Sequence, residues 1–288
     1  MKQCVLLQGG YSEVIPSNDS AKFIGKVLQK LNVNFILLNP ADCDIENELR
    51  NLQLPVINMV HGIWGEDGQA SSLCEKLNLA YYGSSQKACE ISWNKKLSKQ
   101  LAAKLKIQYP KELCSAQNYN LLNIFPHIIR PVQDGSSNNI YLVNSKAEKL
   151  AYVNDKYMIE EYITGTEVTV GIWNDQCVGG LVIQSLKTFF DYEAKYKLNT
   201  KLINAQDVLK KDVWINLQKM SLATHRKMQC SGITRLDWII HNDIPYFLEL
   251  NTIPGMTSHS LFPKICELNN IDLTNVVREM LTYIGIQV

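Results

Sequence analysis

The first eighty residues alternate between short apolar runs and longer amphipathic segments, and that alternation most constrains the fold. Val5 to Leu7, Asn34 to Leu38 and Val56 to Val60 read as strands. Ser20 to Leu31 and Ser71 to Leu77 read as helices between or after them. Strand, helix, strand in this order predicts an open parallel sheet, with ligands at the carboxyl ends of its strands. Gly9-Gly10 and His61-Gly62 follow two of these strands and so fall at the same crevice. Taken alone, each pair reads better as an ordinary strand-to-helix turn.

The rest of the chain is of a different kind. Asn94 to Leu105 reads as a lysine-rich helix. His127 to Pro131 and Ile140 to Val143 are apolar runs around Gln133-Asp134-Gly135-Ser136-Ser137-Asn138-Asn139, which predicts a hairpin with a glycine-serine tip. A further strand lies around Leu181 to Ile183 and a long helix over Lys210 to Met228. The closing helix spans Leu273 to Tyr283 with Asp272 as its N-cap, and Leu273, Val276, Val277, Met280 and Leu281 share one face.

Between the last two helices comes the densest chemistry. Leu236 to Ile240 and the run ending at Asn251 read as paired strands joined at His241-Asn242-Asp243-Ile244-Pro245. Asp237 lies on the first strand and Glu249 and Asn251 on the second. Residues two apart on a strand share a face, so pairing gathers three hard oxygen donors, with Arg235 beside them. That set suits Mg²⁺, which takes a few protein oxygens and completes its shell with water and phosphates. A solvated acidic hairpin is the plainer alternative, but the motif runs on into a Pro254-Gly255-Met256-Thr257 turn that a surface hairpin does not require.

Other residues admit two readings each. Gly135 with Ser136 and Ser137 offers backbone N–H groups that close over phosphate, or a plain turn. Lys95 and Arg130 meet a nucleotide phosphate or remain solvated charges. Glu160, Glu161 and Glu167 accept hydrogen bonds from a ribose or an adenine, or are exposed acids. Phe189 to Tyr196 mixes aromatics and charges without a period, as a lid over an active site or a packed aromatic loop does.

Composition sets the outer limits. Of 288 residues, 46% are hydrophobic and 20% charged, ordinary for soluble globular chains. A formal net charge of +1 offers no electrostatic case for nucleic acid or an anionic membrane. No apolar run approaches a membrane span, and the N-terminal run is too short for a signal peptide. The eight cysteines lack a CxxC pair, so buried free thiols in a reducing cytoplasm are expected.

Four blocks together resemble the D-alanine–D-alanine ligases of the ATP-grasp superfamily. They are His61-Gly62-Ile63-Trp64-Gly65-Glu66-Asp67-Gly68, Gly135-Ser136-Ser137, Asp191-Tyr192-Glu193-Ala194-Lys195-Tyr196, and Glu249-Leu250-Asn251-Thr252-Ile253-Pro254-Gly255-Met256-Thr257. The blocks fall in the family's order and span most of the chain. The resemblance implies an α/β ATP-grasp fold in three parts. These are an N-terminal open parallel-sheet domain over 1–85, a small central α+β domain over 86–165, and a C-terminal α+β catalytic domain over 166–288.

It also implies ligation of two D-alanines for peptidoglycan synthesis. ATP phosphorylates the first D-alanine, and the amine of the second displaces phosphate. Two Mg²⁺ or Mn²⁺ ions per site would be held by Asp237, Glu249 and Asn251. Arg235 and the Gly255 N–H would steady the acyl phosphate. Lys95, Arg130 and Lys195 would contact nucleotide phosphates, and Glu160, Tyr162, Ile163 and Glu167 the adenosine. Ser136 and Tyr196 would close the lid, His61 line the substrate pocket and Ser260 receive the second D-alanine's carboxylate. A homodimer in the cytoplasm, with no nucleic-acid or membrane partner, is the further implication.

The chain departs from the family at Arg130, where lysine is usual, at Asn94 for aspartate, and at Phe190 for tyrosine. The first loop, Gly9 to Ser17, has its glutamate one place early, which makes Glu13 the candidate for the first substrate's ammonium. Two alternatives stay open: a ligase of other amino or hydroxy acids, and a degenerate ATP-binding relative.

Overall fold

A computed structural model describes residues 2–135, 139–150, 153–184 and 200–288. Three sheets follow one another along the chain. The first is parallel, in the order β2 (Asn34–Leu38), β1 (Gln3–Leu7), β3 (Val56–Asn58), β4 (Tyr81–Tyr82). Cys4 to Leu7 are all fully buried, as a central parallel strand covered on both faces must be. Helices α1 (Val14–Lys30), α2 (Ile45–Leu52) and α3 (Gln69–Lys76) connect these strands.

Two of these helices differ from the sequence expectation. Helix α1 begins at Val14 rather than Ser20. Its first turn inverts the usual pattern, with Val14 and Ile15 exposed and Ser17 buried, so periodicity does not reveal it. Pro16 is tolerated there because a first-turn N–H has no helical partner to lose. Helix α2, capped by Asp44 accepting from the Asn47 N–H, buries only Leu49 and leaves almost no apolar signal. Gly25 lets α1 lie directly on β2, since a Cβ there would come within 2.8 Å of the Phe35 ring.

The second sheet is antiparallel, in the order β5 (Glu112–Cys114), β8 (Tyr157–Glu161), β6 (His127–Pro131), β7 (Tyr141–Val143). Strands β6 and β7 pair as the expected hairpin. Helices α4 (Gln86–Trp93) and α5 (Lys95–Lys104) precede it, and Asn94 caps α5 by accepting from the Lys96 and Leu97 N–H groups.

The third and largest sheet has the order β11 (Lys201–Asn204), β10 (Gln176–Gln184), β9 (Thr166–Trp173), β12 (Thr234–His241), β13 (Ile244–Asn251). The β12–β13 turn is tighter than the five residues expected. Only Asn242 and Asp243 lie outside the strands, both with positive φ (49 and 65°), the two-residue turn that matches sheet twist.

Packing does not follow chain order. The closing helix Leu273–Tyr283 buries Val276, Val277, Met280 and Leu281 in one cluster with Ile24 and Leu28 of α1, Tyr82 of β4 and Met256. Ala102 of α5 packs with Val170, Leu236 and Phe247 of the large sheet. The loop after β13 is thereby fixed between the first and third sheets. Among the described residues no helix is long and apolar enough to cross a membrane. All eight cysteines are free.

The helix Lys211–Lys227 carries a buried histidine. His225 is 2% exposed and its Nδ1 lies 2.8 Å from Thr234 Oγ1. Burial pushes its pKa down from 6.5 to about 4. The folded state therefore holds it neutral while the unfolded chain takes up the proton below 6.5. Its stabilising contribution is complete above pH 6.5 and is lost as pH falls toward 4. The expected loss is about 3 kcal/mol across that window. Urea unfolding at pH 7 and pH 4 checks this, and His225→Gln should flatten the dependence.

Candidate active site

Strands β9, β12 and β13 place polar residues on a common face. Asp237 pairs directly with Glu249 on one side and Thr169 on the other. One step along, Arg235 pairs with Asn251 and with Gly171. Glu167 is two residues from Thr169 and shares the face by strand alternation. The three proposed metal-binding residues and Arg235 are thus gathered as the sequence predicts. A bulge after Asp237 lets Trp238 pair with Phe247, so both aromatics turn into the core below.

Each carboxylate is already engaged. Asp237, 7% exposed, accepts from Arg235 Nε at 3.0 Å and Nη2 at 2.8 Å, and from Thr169 Oγ1 at 2.6 Å. Glu249 meets the Arg130 guanidinium, and Lys95 Nζ lies 3.7 Å from it. Asn251 Oδ1 accepts the Ile253 N–H at 2.8 Å, which starts the turn into Pro254-Gly255. Among the described residues no three His, Cys, Asp or Glu side chains cluster as a metal cage. The donor set is two carboxylates and one amide, which fits a cation that completes its shell with phosphate oxygens and water.

Opposite this face stand buried cations. Lys95 and Lys99 are four apart on α5 and so lie on one side of it. Lys95 is 5% exposed and donates to the Asp134 carbonyl at 2.6 Å. Burial pushes its pKa down to about 8, opposed by Glu249 and reinforced by Arg130. Lys99, 3% exposed, pairs with Glu160, 1% exposed. Burial lowers its pKa too, and Glu160 opposes that. Arg130 is 7% exposed, and its Nε has no partner among the described residues. A buried guanidinium edge of this kind is ready for an anionic oxygen.

Sequence reasoning missed Lys99. The available signal was its spacing of four residues from Lys95 on α5, which puts both on the side that also carries Ser98 and Ala102. Glu160, which the resemblance assigns to the adenosine, pairs with Lys99. Tyr162 and Ile163 follow β8 and are half-buried, as is Glu167.

The substrate-side candidates meet where three loops converge. Glu13 is the N-cap position of α1. A Cβ on Gly135 would come within 2.4 Å of Glu13 Oε1, and one on Gly62 within 3.4 Å of its Cγ. The early glutamate therefore reaches the glycine loops despite the shortened segment. Ser12 Oγ accepts the Ile63 N–H at 3.0 Å and ties that segment to the His61 turn. Gly9 and Gly10 have φ of 73 and 90° and hold the chain against Asn39, whose Oδ1 accepts the Gly10 N–H at 2.9 Å.

Gly255 and Ser260 are neighbours, since a Cβ on Gly255 would meet Ser260 Oγ at 2.7 Å. That hydroxyl also accepts the Thr257 N–H at 3.1 Å. His61 is buried at 4% exposure, with Ser20 and Glu66 on its two ring nitrogens. Ser136, Lys195 and Tyr196 lie outside the described residues.

Comparison with known proteins places the chain in a family. Residues 99–282 match the family model described as D-ala D-ala ligase C-terminus. A D-alanine–D-alanine ligase of Pelagibacter ubique (strain HTCC1062) is 32% identical over 97% of this chain and 97% of its own length. One from Aquifex aeolicus (strain VF5) is 30% identical over 98% of this chain and all of its own. The crystal structure of D-alanine–D-alanine ligase from Bacillus anthracis complexed with ATP superposes with a TM-score of 0.81 at 25% identity, covering 98% of this chain and 96% of that one.

Proposed function

This chain belongs to the D-alanine–D-alanine ligase family, with the ATP-grasp fold, and from that premise we propose how its residues work. It is an ATP-dependent ligase that joins two D-alanines into D-alanyl-D-alanine for peptidoglycan synthesis. The γ-phosphoryl group of ATP passes to the carboxylate of the first D-alanine. The amine of the second attacks the carbonyl carbon of that acyl phosphate, loses a proton and expels phosphate.

The observation that carries this assignment is the pairing of Asp237 with Glu249 across β12 and β13, facing Lys95 and Arg130. It sets hard oxygens and fixed cations around one place, as transfer of a highly charged group requires. Bound magnesium, two ions held by Asp237, Glu249 and Asn251, would neutralise charge on the phosphates. Lys95 and the open edge of Arg130 receive phosphate oxygens. Arg235, held flat by both oxygens of Asp237, orients the acyl phosphate beside the Gly255 N–H. Glu160 and Glu167 receive the adenosine, with Tyr162 and Ile163 beside them. Glu13 holds the first ammonium and Ser260 the second carboxylate. Ser136, Lys195 and Tyr196 keep their family roles in covering the site.

The domain limits, the homodimer and the cytoplasmic setting rest on the family pattern. Light scattering on the purified protein tests the dimer. Activity is tested by phosphate release from Mg·ATP with D-alanine, L-alanine or neither. Release that requires D-alanine, with the dipeptide seen by mass, is the expected result. Release with neither amino acid, or none with D-alanine, would overturn the assignment.

A further inference from the structure

We infer that Ser20 is a positioning residue for the loop carrying Gly255, acting together with His61 and Glu66, an inference that rests on the ligase assignment above. Ser20 is 1% exposed on the buried side of α1, three residues after the equally buried Ser17. Its Oγ accepts the Met256 N–H at 3.1 Å, across 236 residues of sequence. The same oxygen lies 3.0 Å from His61 Nε2. On the far side of the ring, His61 Nδ1 lies 3.3 Å from Glu66 Oε1.

The donors and acceptors fix how this chain of bonds runs. A carboxylate only accepts, so in the neutral imidazole Nδ1 carries the ring proton and Nε2 is left to accept. Ser20 must then donate to Nε2, which leaves its lone pairs for Met256. Every polar atom is satisfied, as buried networks must be if they are to hold one geometry. Ser17 adds a second tie, accepting the His61 N–H at 2.9 Å and donating to the Glu13 carbonyl at 2.6 Å.

One face of α1 therefore locates three segments: the turn bearing Glu13, the His61–Glu66 turn, and Met256 beside Gly255. Serine, histidine and glutamate in this order also describe a nucleophilic triad. Ser20 is not one, because it is buried and its oxygen already holds a backbone amide. Both His61 ring nitrogens are engaged within the protein, so His61 acts on the reaction through the Gly255 loop.

Steady-state kinetics of Ser20→Ala, Ser20→Thr, Glu66→Gln and the Ser20→Ala/Glu66→Gln double variant test this. A loop displaced by about 1 Å costs catalysis on the order of 100-fold. Ser20→Ala should lower kcat of D-alanine-dependent phosphate release about 10- to 100-fold, with the KM for ATP within about twofold. Ser20→Thr, which keeps the hydroxyl, should recover most of the rate. The double variant should be no slower than the slower single one, because both break the same chain of bonds.

A Ser20→Ala protein with wild-type kcat and only a lower Tm would overturn the inference, as would losses that multiply in the double variant. Should Ser20→Ala fail to fold, Glu66→Gln carries the same comparison with the hydroxyl in place. A wild-type protein without D-alanine-dependent release would instead overturn the ligase assignment and this inference with it. An active wild type with an unaffected Ser20→Ala overturns this inference alone.

Discussion

Glu249→Gln should lower D-alanine-dependent phosphate release by about a thousandfold while leaving the protein folded. Glutamine has nearly the same shape, so strand β13 keeps its pairing and its face. What disappears is one negative charge at the point where Arg130, Lys95 and the Asp237 carboxylate converge. Two effects then act together. The site loses one of two carboxylates able to hold a hard cation, and an amide is a much poorer ligand for Mg²⁺. The counter-charge that opposes the effect of burial on Lys95 also goes, so that lysine falls further below about 8 and carries less charge toward phosphate at neutral pH. Removing a single preorganised electrostatic group typically costs 100- to 1,000-fold, about 3 to 4 kcal/mol, and here two effects share one residue. A coupled phosphate assay with a thermal melt measures both quantities. Activity within about tenfold of wild type, with the melt unchanged, would remove Glu249 from the machinery.

The second large effect is on stability. Lys99→Met should cost about 3 to 5 kcal/mol, because it strands the Glu160 carboxylate at 1% exposure without its counter-ion. For a chain of this length that is a fall in Tm of about 10 °C. Lys99→Met/Glu160→Leu should recover most of the loss, since a buried ion pair replaced by apolar groups of similar volume is often close to neutral. The double variant also separates structure from function. If Glu160 receives the adenosine, the restored protein will still bind ATP weakly by titration calorimetry. Full recovery of both stability and ATP affinity would make the pair purely structural.

The hairpin that carries Asp237, Glu249 and Asn251 was legible because strand alternation needs only local sequence. Two residues apart means one face, although the turn expected over His241 to Pro245 narrows to Asn242-Asp243 in the structure. Asp272 as an N-cap and the apolar face of Leu273–Tyr283 were legible for the same reason. The start of α1 was not, because its first turn buries Ser17 and exposes Val14 and Ile15. That inversion makes sense only once the His61 N–H is seen to need the Ser17 hydroxyl.

The sequence by itself determined the alternation that builds the parallel sheet and the common face of Asp237, Glu249 and Asn251, the candidate oxygen donors. Both of these depend on spacings of two to four residues, which backbone geometry converts directly into position. Only the tertiary structure decided the partners. Arg130 reaches Glu249 across 119 residues, Lys99 reaches Glu160 across 61, and Ser20 reaches Met256 across 236. Those distances are closed by apolar packing between sheets and helices, which is non-directional. It brings charged and polar groups together without leaving any local pattern that names which group meets which.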